Sequence, residues 1–225
     1  MINLMHGDCL ELMKGIPDNS IDMVLTDPPY GTTACKWDTV IDFELMWKQL
    51  KRITKDNRAI CLFGSEPFSS ALRMSNIKMF KYDWVWRKRP VNFLNAKRQP
   101  LRQTERISVF NAKRYYPQGL IVCNKINKRS NSTETSRVHG ASNIAKFTNY
   151  PTDILDFIGE RGLHPTQKPV ALLEYLIKTY TLENETVLDF TMGSGSTGVA
   201  AKNLNRKFIG IEQDDKYFNI AKERI

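Results

Sequence analysis

Five short apolar runs, separated by stretches with helical periodicity, constrain the fold of this chain most strongly. The runs cover residues 2–6, 21–26, 59–63, 186–190 and 208–212. Runs of about four to eight apolar residues between polar residues, glycine or proline are typical of buried parallel strands. Between the runs, apolar residues recur at spacings of three and four, for example at Phe43, Met46, Trp47 and Leu50. This alternation predicts an α/β fold with a central, mostly parallel sheet and helices on both faces.

Further segments extend this pattern. Apolar residues between positions 172 and 180 repeat the helical spacing, and Pro169 suits the first turn of that helix. Residues 82–86 and 106–110 are expected to add strands at the far edge of the sheet.

Residues from about 88 to 162 break the alternation. Asparagine and serine accumulate there, and apolar periodicity fades between residues 125 and 142. Between residues 87 and 146, fourteen lysines and arginines stand against two glutamates, a local charge of +12 in a chain of formal charge +9. We therefore expect one domain over residues 1–225 with a basic insertion at about 88–162. Such a segment suits a polyanion, because neutralised phosphates release counterions, although a solvated lysine-rich surface also fits the composition.

The sequence Asp27-Pro28-Pro29-Tyr30 directly follows the apolar run that ends at Thr26. In an open α/β sheet, ligands bind at the carboxyl ends of strands. The prolines remove two N–H donors, so the loop offers a carboxylate and carbonyl oxygens in a rigid array. Asp27 and the Pro28 carbonyl would accept the two hydrogens of an aromatic amine, and Tyr30 would stack on its ring. The alternative interpretation is a proline-rich turn without chemistry.

A glycine-rich turn at residues 191–198 follows the run ending at Phe190 and opens a helix. Its glycines permit close backbone approach to a ligand, and a helix N-terminus favours negative charge. The next run ends in Glu212, where an acidic residue would bind ribose hydroxyls of a nucleotide-type cofactor. This spacing also suits NAD, whereas a phosphate-binding P-loop is excluded because no lysine follows the glycines. A glycine-rich turn with a surface glutamate stays the alternative.

The sequence contains no pattern of a metal site or a membrane anchor. Cys9, Cys35, Cys61 and Cys123 form no CxxC pair and have no histidine at metal-ligand spacing, so neither a metal nor a disulfide framework is expected. No apolar run approaches the roughly 18 residues of a membrane span, and the first residues do not have the pattern of a signal peptide. We expect a reduced, cytoplasmic protein without a membrane partner.

Together these motifs resemble the beta class of DNA amino-methyltransferases. The residues that carry the resemblance are Asp27-Pro28-Pro29-Tyr30, His164-Pro165-Thr166-Gln167-Lys168-Pro169, and the segment 188–197. Their order is circularly permuted, with the catalytic loop first, a variable region next and the cofactor turn last. The resemblance covers roughly residues 1–87 and 160–225, and residues 88–162 occupy the family's variable target-recognition position. It implies a Rossmann-like methyltransferase fold, S-adenosylmethionine as cofactor and double-stranded DNA as partner.

The resemblance also implies roles for individual residues. The catalytic residues would be Asp27, Pro28, Pro29 and Tyr30, which would hold a base extruded from the duplex. The cofactor-binding residues would be Asp8, Cys9, Asp27, His164, Thr166, Gln167, Lys168, Asp189, Phe190, Gly193, Ser194, Gly195, Ser196, Thr197, Glu212 and Gln213. The DNA-binding residues would be Lys88, Arg89, Lys97, Arg98, Arg102, Lys113 and Arg114. The family often has Asp-Pro-Phe before the glycines, so Asp189-Phe190-Thr191 leaves open which aromatic face meets the cofactor.

The first residue of the catalytic loop indicates the substrate. Similar enzymes acting on the cytosine amino group more often begin this loop with serine, and those acting on protein glutamine begin it with asparagine, so Asp27 favours N6 of adenine. Carbon-5 methylation of cytosine needs a cysteine nucleophile, typically after proline, and no cysteine here follows one. Trp37-Asp38 would help to close over the base, although Trp37 fits a core or surface role equally well.

Two alternative functions stay open at this point, methylation of cytosine N4 or of RNA by the same chemistry, and a non-catalytic relic that occupies DNA. The sequence does not specify the recognition site, a partner restriction nuclease, or a phage or regulatory role. A homodimer is common among similar enzymes and stays an expectation.

Overall fold

The computed structural model describes residues 1–32, 38–88, 93, 96–127, 143–159 and 167–225. Its strands are β1 (Ile2–His6), β2 (Met23–Thr26), β3 (Ile60–Gly64), β4 (Phe80–Arg87), β5 (Thr104–Phe110), β6 (Ile121–Asn127), β7 (Asn143–Thr148), β8 (Ile154–Asp156), β9 (Thr186–Asp189) and β10 (Lys207–Glu212). Its helices are α1 (Cys9–Met13), α2 (Phe43–Ile53), α3 (Phe68–Ser75), α4 (Val170–Tyr180), α5 (Ser196–Asn203) and α6 (Asp215–Arg224). The chain divides into two compact units, Met1–Tyr116 with Asp153–Ile225, and Pro117–Thr152.

The larger unit is built on an eight-stranded sheet in the order β1-β10-β9-β2-β3-β5-β4-β8. The first five strands of this order are parallel, β5 is antiparallel to β3 and β4, and β8 is parallel to β4. The mostly parallel sheet expected from the apolar runs is confirmed. The carboxyl ends of β1, β10, β9 and β2 therefore meet at one edge of the sheet, together with the amino end of β5.

The far side of the sheet differs in order from the prediction. Residues 82–86 and 106–110 do form strands, but β5 is an interior strand and β8 is the outermost strand of the sheet. β8 has three residues, which is too short for a periodic pattern to be recognised in the sequence. Two strands of the main sheet, β5 and β8, consequently lie within the range expected to be an insertion.

Helices cover both faces of the sheet, as the sequence predicts. On one face, Leu176 of α4 and Ala200 of α5 belong to a buried cluster with Leu25 of β2. On the opposite face, Leu50 of α2 belongs to a second buried cluster with Val24. Successive strand residues point to opposite faces, so Val24 and Leu25 enter different clusters. Burial on both faces is the reason why these strands read as continuous apolar runs.

The smaller unit, Pro117–Thr152, contains the antiparallel pair β6 and β7. Asn149 Nδ2 donates to the Gly119 carbonyl at 2.7 Å, and Cys123 Sγ donates to the Ala145 carbonyl at 3.1 Å. This unit is narrower than the expected insertion, because β5 and β8 belong to the main sheet. The division into one domain with a target-recognition insertion stays a prediction. No helix within the described ranges is long and apolar enough to cross a membrane.

Candidate active site

A cavity of about 870 Å³ lies at the edge where the carboxyl ends of β1, β10, β9 and β2 meet. Its volume falls within the roughly 300–1,000 Å³ typical of small-molecule and cofactor sites. Most residues selected from the sequence line it: Asp8, Cys9, Asp27, Pro28, Pro29, Tyr30, Gln167, Lys168, Asp189, Phe190, Gly193, Ser194, Ser196, Thr197, Glu212 and Gln213. Motifs from both ends of the chain thus converge on one cavity.

The loop that follows β2 is held from two sides. The backbone amides of Tyr30 and Gly31 donate to Asp38 Oδ1, both at 2.8 Å, and the amide of Thr32 donates to Asp38 Oδ2 at 2.9 Å. Thr191 Oγ1 donates to the Asp27 carbonyl at 3.1 Å. Charge-assisted bonds from successive amides to one carboxylate are strong and directional. Asp38 therefore fixes the backbone of the loop that carries the Asp27 carboxylate.

Side chains from four segments surround the Asp27 carboxylate. Tyr30 Oη donates to Asp27 Oδ1 at 2.5 Å, and Lys168 Nζ lies 2.5 Å from Asp27 Oδ2. The same two donors reach Glu105 Oε1, at 3.0 Å from Tyr30 Oη and 2.9 Å from Lys168 Nζ. Glu105 Oε2 accepts from Lys88 Nζ at 2.6 Å. We call Asp27, Tyr30, Lys88, Glu105 and Lys168 the Asp27 cluster.

The electrostatics of the Asp27 cluster follow from burial and from its alternating charges. Burial disfavours the Glu105 carboxylate, but Lys168 and Lys88 outweigh it and lower the pKa of Glu105 to about 2. Burial would lower the pKa of Lys168, but Asp27 and Glu105 raise it. Burial, together with Glu105, raises the pKa of Asp27 against the opposing effect of Lys168. Glu105 and Lys168 are therefore both ionised at neutral pH.

The ring of Tyr30, the last residue of the Asp27–Tyr30 loop, packs against α3. It stacks on Phe68, with centroids 5.0 Å apart and planes inclined by 29°. Burial, Asp27 and Glu105 raise the pKa of the Tyr30 phenol well above its usual value. The hydroxyl thus keeps its hydrogen, which can be donated to one carboxylate at a time.

The end of β9 is tied to the end of β2 beneath the glycine turn. Asp189 Oδ1 accepts from Thr26 Oγ1 and from the Thr191 amide, and the Phe190 amide donates to Thr26 Oγ1 at 3.0 Å. Burial raises the pKa of Asp189 to about 6, although hydrogen bonds from Thr197 and Thr26 oppose it. Phe190 lines the cavity but is 1% exposed and packs in the core cluster of α2. These contacts hold the start of the glycine-rich turn against the end of β2.

Glu212 lies at the carboxyl end of β10 and faces the same turn. Its Oε2 accepts from the Gly193 amide at 2.9 Å, and its Oε1 accepts from the Asp214 amide at 2.8 Å. Burial raises the pKa of this carboxyl against the effect of these amides. Gly193 has φ 52°, a left-handed conformation that favours glycine. The carboxylate is therefore fixed at the place where the sequence predicts a ribose-binding acid.

Asp8 and Cys9 stand at the carboxyl end of β1. Asp8 Oδ1 accepts from the Glu11 amide at 3.0 Å and caps α1, a contact worth about 1 kcal/mol in typical helices. Burial and the neighbouring Asp8 raise the pKa of the Cys9 thiol to about 12. Cys9 is thus a neutral thiol beside the cavity.

Among the described residues selected for cofactor binding, Gly195 is the one absent from the lining of the cavity. It has φ 82°, and a Cβ atom there would lie 2.7 Å from Ile225 Cδ1 and 3.0 Å from Ala221 Cβ. The structure therefore explains this glycine by the close packing of α5 on the end of α6. His164 and Thr166 lie outside the described residues.

The residues selected for DNA binding do not lie together. Lys88 lines the cavity and pairs with Glu105. Lys97, Arg98 and Arg102 are exposed. Lys113 and Arg114 follow β5 at the opposite edge of the sheet, where the Lys113 amide donates to the Asn57 carbonyl and Arg114 pairs with Glu185 at 3.1 Å. Arg89 and Trp37 lie outside the described residues.

Glu105 is the member of the Asp27 cluster that sequence reasoning misses. Its signal is modest, since it is one of two acids among fourteen basic residues at positions 87–146 and it directly precedes the run at residues 106–110. Its partners could not be read from the sequence, because the sheet order brings them together. Among the described residues, no group of three or more His, Cys, Asp and Glu side chains could hold a metal ion.

A family profile and individual relatives both match this chain to DNA methyltransferases. The profile of the family N6_N4_Mtase, described as DNA methylase, matches residues 21–223. The type II methyltransferase M2.LlaDCHI of Lactococcus lactis subsp. cremoris is 31% identical over 252 aligned positions. The alignment covers 99% of this chain and 88% of the relative. The type II methyltransferase M.HinfI of Haemophilus influenzae is 28% identical over 254 aligned positions. The alignment covers 99% of this chain and 67% of the relative.

Two solved structures share the fold. M1.HpyAVI in complex with SAM has a TM-score of 0.69 and 29% identity, and the match covers 100% of this chain and 98% of that one. The PvuII DNA methyltransferase, named as cytosine-N4-specific, has a TM-score of 0.70 and 17% identity, and the match covers 100% of this chain and 86% of that one. At 17% identity the likeness concerns the fold alone.

Proposed function

Because this chain belongs to the N6_N4_Mtase family of DNA methylases, we propose that it is a site-specific DNA methyltransferase that transfers a methyl group from S-adenosylmethionine to N6 of adenine. Membership of the DNA amino-methyltransferases, expected from the motifs, is confirmed, as is the Rossmann-like α/β fold. The observation that carries the proposal is the Asp27 carboxylate at the carboxyl end of β2, in one cavity with Gly193 and Glu212.

The residues of the cavity fit S-adenosylmethionine. Glu212 would bind the ribose hydroxyls, since each oxygen of a carboxylate has a further lone pair beyond its bond to Gly193 or Asp214. The left-handed Gly193 would let the backbone approach the methionine part of the cofactor. M1.HpyAVI, 29% identical to this chain, has been solved with SAM. When bound, S-adenosylmethionine supplies an electrophilic methyl group.

Asp27 and its loop would make the adenine amino group nucleophilic. The nitrogen lone pair of an aromatic amine is delocalised into the ring, so the free amine is a poor nucleophile. Asp27 and the Pro28 carbonyl would accept its two hydrogens and favour a pyramidal nitrogen with a localised lone pair. Acceptors that are already in place where positive charge develops lower the barrier most, and Asp38 and Thr191 hold this loop in place.

The amino group is paired inside the duplex, so the adenine must leave the base stack before it can reach Asp27. Tyr30 would stack on the extruded base, a contact worth about 1–3 kcal/mol in nucleic-acid sites. The exposed Lys97, Arg98 and Arg102 would contact phosphates on either side of it. Residues 88–162 would supply target recognition, in keeping with their basic composition.

Asp27 favours adenine over cytosine as the first residue of the loop. The type II methyltransferases among the relatives support a place in a restriction–modification pair, opposite a nuclease that recognises the same sequence. The relatives come from bacteria, so the reaction would take place on cytoplasmic DNA. A homodimer would match the expectation for similar enzymes.

Mapping of methylated positions tests this proposal in cells. DNA from cells that express the protein should carry N6-methyladenine in one short sequence motif. DNA from cells that express Asp27→Ala should lack it at that motif. An identical methylation pattern with and without the protein would reject the proposed activity.

A further inference from the structure

Both donors that bind Asp27 also reach a second carboxylate. Lys168 Nζ is 2.5 Å from Asp27 Oδ2 and 2.9 Å from Glu105 Oε1. Tyr30 Oη is 2.5 Å from Asp27 Oδ1 and 3.0 Å from Glu105 Oε1. Each oxygen of the Asp27 carboxylate thus already accepts a hydrogen bond, and Glu105 Oε1 is a second acceptor for both donors.

This arrangement makes Lys168 and the Tyr30 hydroxyl compete with an amino group for Asp27. Each oxygen of the carboxylate keeps one further lone pair, but an oxygen that already accepts from another donor is a weaker acceptor, so tight binding of the amino group favours movement of these donors off part of the carboxylate. The side chain of Lys168 is only 9% exposed, and its amine lies 5.1 Å from the centre of the Phe63 ring. A buried ammonium group that loses its acceptor carries a large desolvation cost. The displaced donors therefore need another acceptor within the cluster.

Glu105 has the properties of that acceptor. Its side chain is 5% exposed, and it lies near the start of β5, which is paired on both sides, with β3 and with β4. Lys88 holds its other oxygen, Oε2, at 2.6 Å. Oε1 is therefore fixed in place, negatively charged and within hydrogen-bond distance of both donors.

We propose that Glu105 is a positioning residue for methyl transfer, which takes over Lys168 and the Tyr30 hydroxyl when the amino group of the target base binds Asp27. The exchange needs no large movement, because each donor already lies within 3.0 Å of Glu105 Oε1. It rests on the proposed function, in which Asp27 accepts one of the two amino hydrogens. No proton or electron leaves the cluster, since only hydrogen-bond partners change.

The charge balance of the cluster gives the expected effect of a substitution. Asp27 and Glu105 offset Lys88 and Lys168, so Glu105→Gln leaves one uncompensated positive charge beside Asp27. Lys168 would then stay on Asp27, and the amino group would compete with an ammonium ion for the carboxylate. A purely structural glutamate would instead affect folding, with no particular dependence on Lys168.

Removal of the competing cation distinguishes these two cases. In single-turnover transfer at saturating cofactor, Glu105→Gln should lower the rate by about tenfold or more, while cofactor affinity stays within about twofold. Adding Lys168→Met to Glu105→Gln should raise the rate again, by about tenfold relative to Glu105→Gln alone. A double variant that is as slow as Glu105→Gln, or slower, contradicts the exchange.

A matched control distinguishes the general effect of losing a buried ion pair from the specific effect of losing the pairs that Glu105 makes. Glu185 pairs with Arg58 and Arg114 at the opposite edge of the sheet, away from the cavity. Glu185→Gln should lower the melting temperature yet leave the transfer rate unchanged. An equal loss of rate in Glu185→Gln and Glu105→Gln would show that Glu105 acts through stability.

Binding to DNA provides a second measurement that does not need the double variant to fold. Duplexes that carry adenine, or purine without the amino group, are compared at the mapped target position. Glu105→Gln should weaken binding of the adenine duplex relative to the purine duplex, and equal losses for both would overturn the proposal. Full activity of Asp27→Ala would instead reject the proposed function, whereas an inactive Asp27→Ala with a fully active Glu105→Gln rejects the exchange alone.

Discussion

Lys168 Nζ lies 2.5 Å from Asp27 Oδ2, and this ion pair joins the residues before α4 to the loop after β2. The resemblance assigned Lys168 to the cofactor pocket, and the residue does line the shared cavity. Its amine nevertheless faces the carboxylate proposed to activate the substrate. One ion pair would thus couple the proposed cofactor and base sites, and several consequences of this coupling can be measured.

Asp27→Ala should slow transfer strongly without removing the cofactor site. The substitution deletes the acceptor for one amino hydrogen, and losing one such electrostatic contact typically costs about two to three orders of magnitude in rate. Single-turnover assays and calorimetric titration with S-adenosylmethionine check this, the latter giving an affinity close to that of the wild type. Turnover at the wild-type rate would reject the role of Asp27.

Glu212→Ala should weaken the cofactor rather than the chemistry. The substitution removes the proposed ribose acceptor and leaves the Gly193 and Asp214 amides without their partner. We expect the dissociation constant for S-adenosylmethionine to rise by about tenfold or more, since a hydrogen bond to a charged group is worth about 1.5–3 kcal/mol. Calorimetry measures this change, and an unaltered constant would argue against ribose binding at this position.

The pH dependence of transfer should report Asp27. The ionised carboxylate is a stronger acceptor for the amino hydrogen than the neutral acid, so the rate should rise with pH as Asp27 loses its proton. Burial and Glu105 raise the pKa of Asp27, while Lys168 and the Tyr30 hydroxyl lower it. Glu105→Gln removes one raising contribution and should move the acid limb to lower pH.

The direction of this shift is the informative quantity, because Asp189, whose pKa is about 6, also titrates beside the cavity. Single-turnover rates across the acid range, measured for the wild type, Glu105→Gln and the control Glu185→Gln, provide the comparison. A limb that moves to higher pH in Glu105→Gln would contradict the raising effect of Glu105 on the pKa of Asp27.

DNA affinity should depend on salt through the exposed part of the basic segment. Each phosphate contact contributes about 0.9 to the slope of log affinity against log salt, so Lys97→Gln with Arg98→Gln should flatten the slope by up to about two such contacts. Lys48→Gln, an exposed charge on α2, serves as control. Arg114→Gln should also leave the slope unchanged, because Arg114 pairs with Glu185 at the opposite edge. A slope insensitive to Lys97 and Arg98 would place the phosphate contacts elsewhere.

The parallel part of the fold could be predicted because its physical signal is local. Strands that are buried on both faces, such as β2, appear in the sequence as apolar runs, and the loop at Asp27 directly follows β2. Spacing alone also placed Glu212 about twenty residues after the glycine turn, as nucleotide-binding folds require. These features depend on residues that are close in the chain and on the rule that ligands bind at the carboxyl ends of the strands in an open α/β sheet.

The remaining features depend on contacts between distant segments. β8 is three residues long and is recognisable only by its pairing with β4. Gly195 is explained by Ile225 at the end of α6, and the role of Glu105 by Lys168 before α4. Lys113 and Arg114 read as part of one basic segment, but the antiparallel course of β5 carries them to the edge opposite the cavity. Sequence composition contains no information about which edge of a sheet a charge will occupy.

The identity of the methylated nucleoside shows whether N6 of adenine is the acceptor of the methyl group. Unmethylated DNA is incubated with the purified protein and S-adenosylmethionine that carries a deuterated methyl group, then digested and analysed by mass spectrometry, with Asp27→Ala as the matched control. We expect deuterated N6-methyladenine with the wild type and none with Asp27→Ala. Deuterated N4-methylcytosine as the sole product would contradict it.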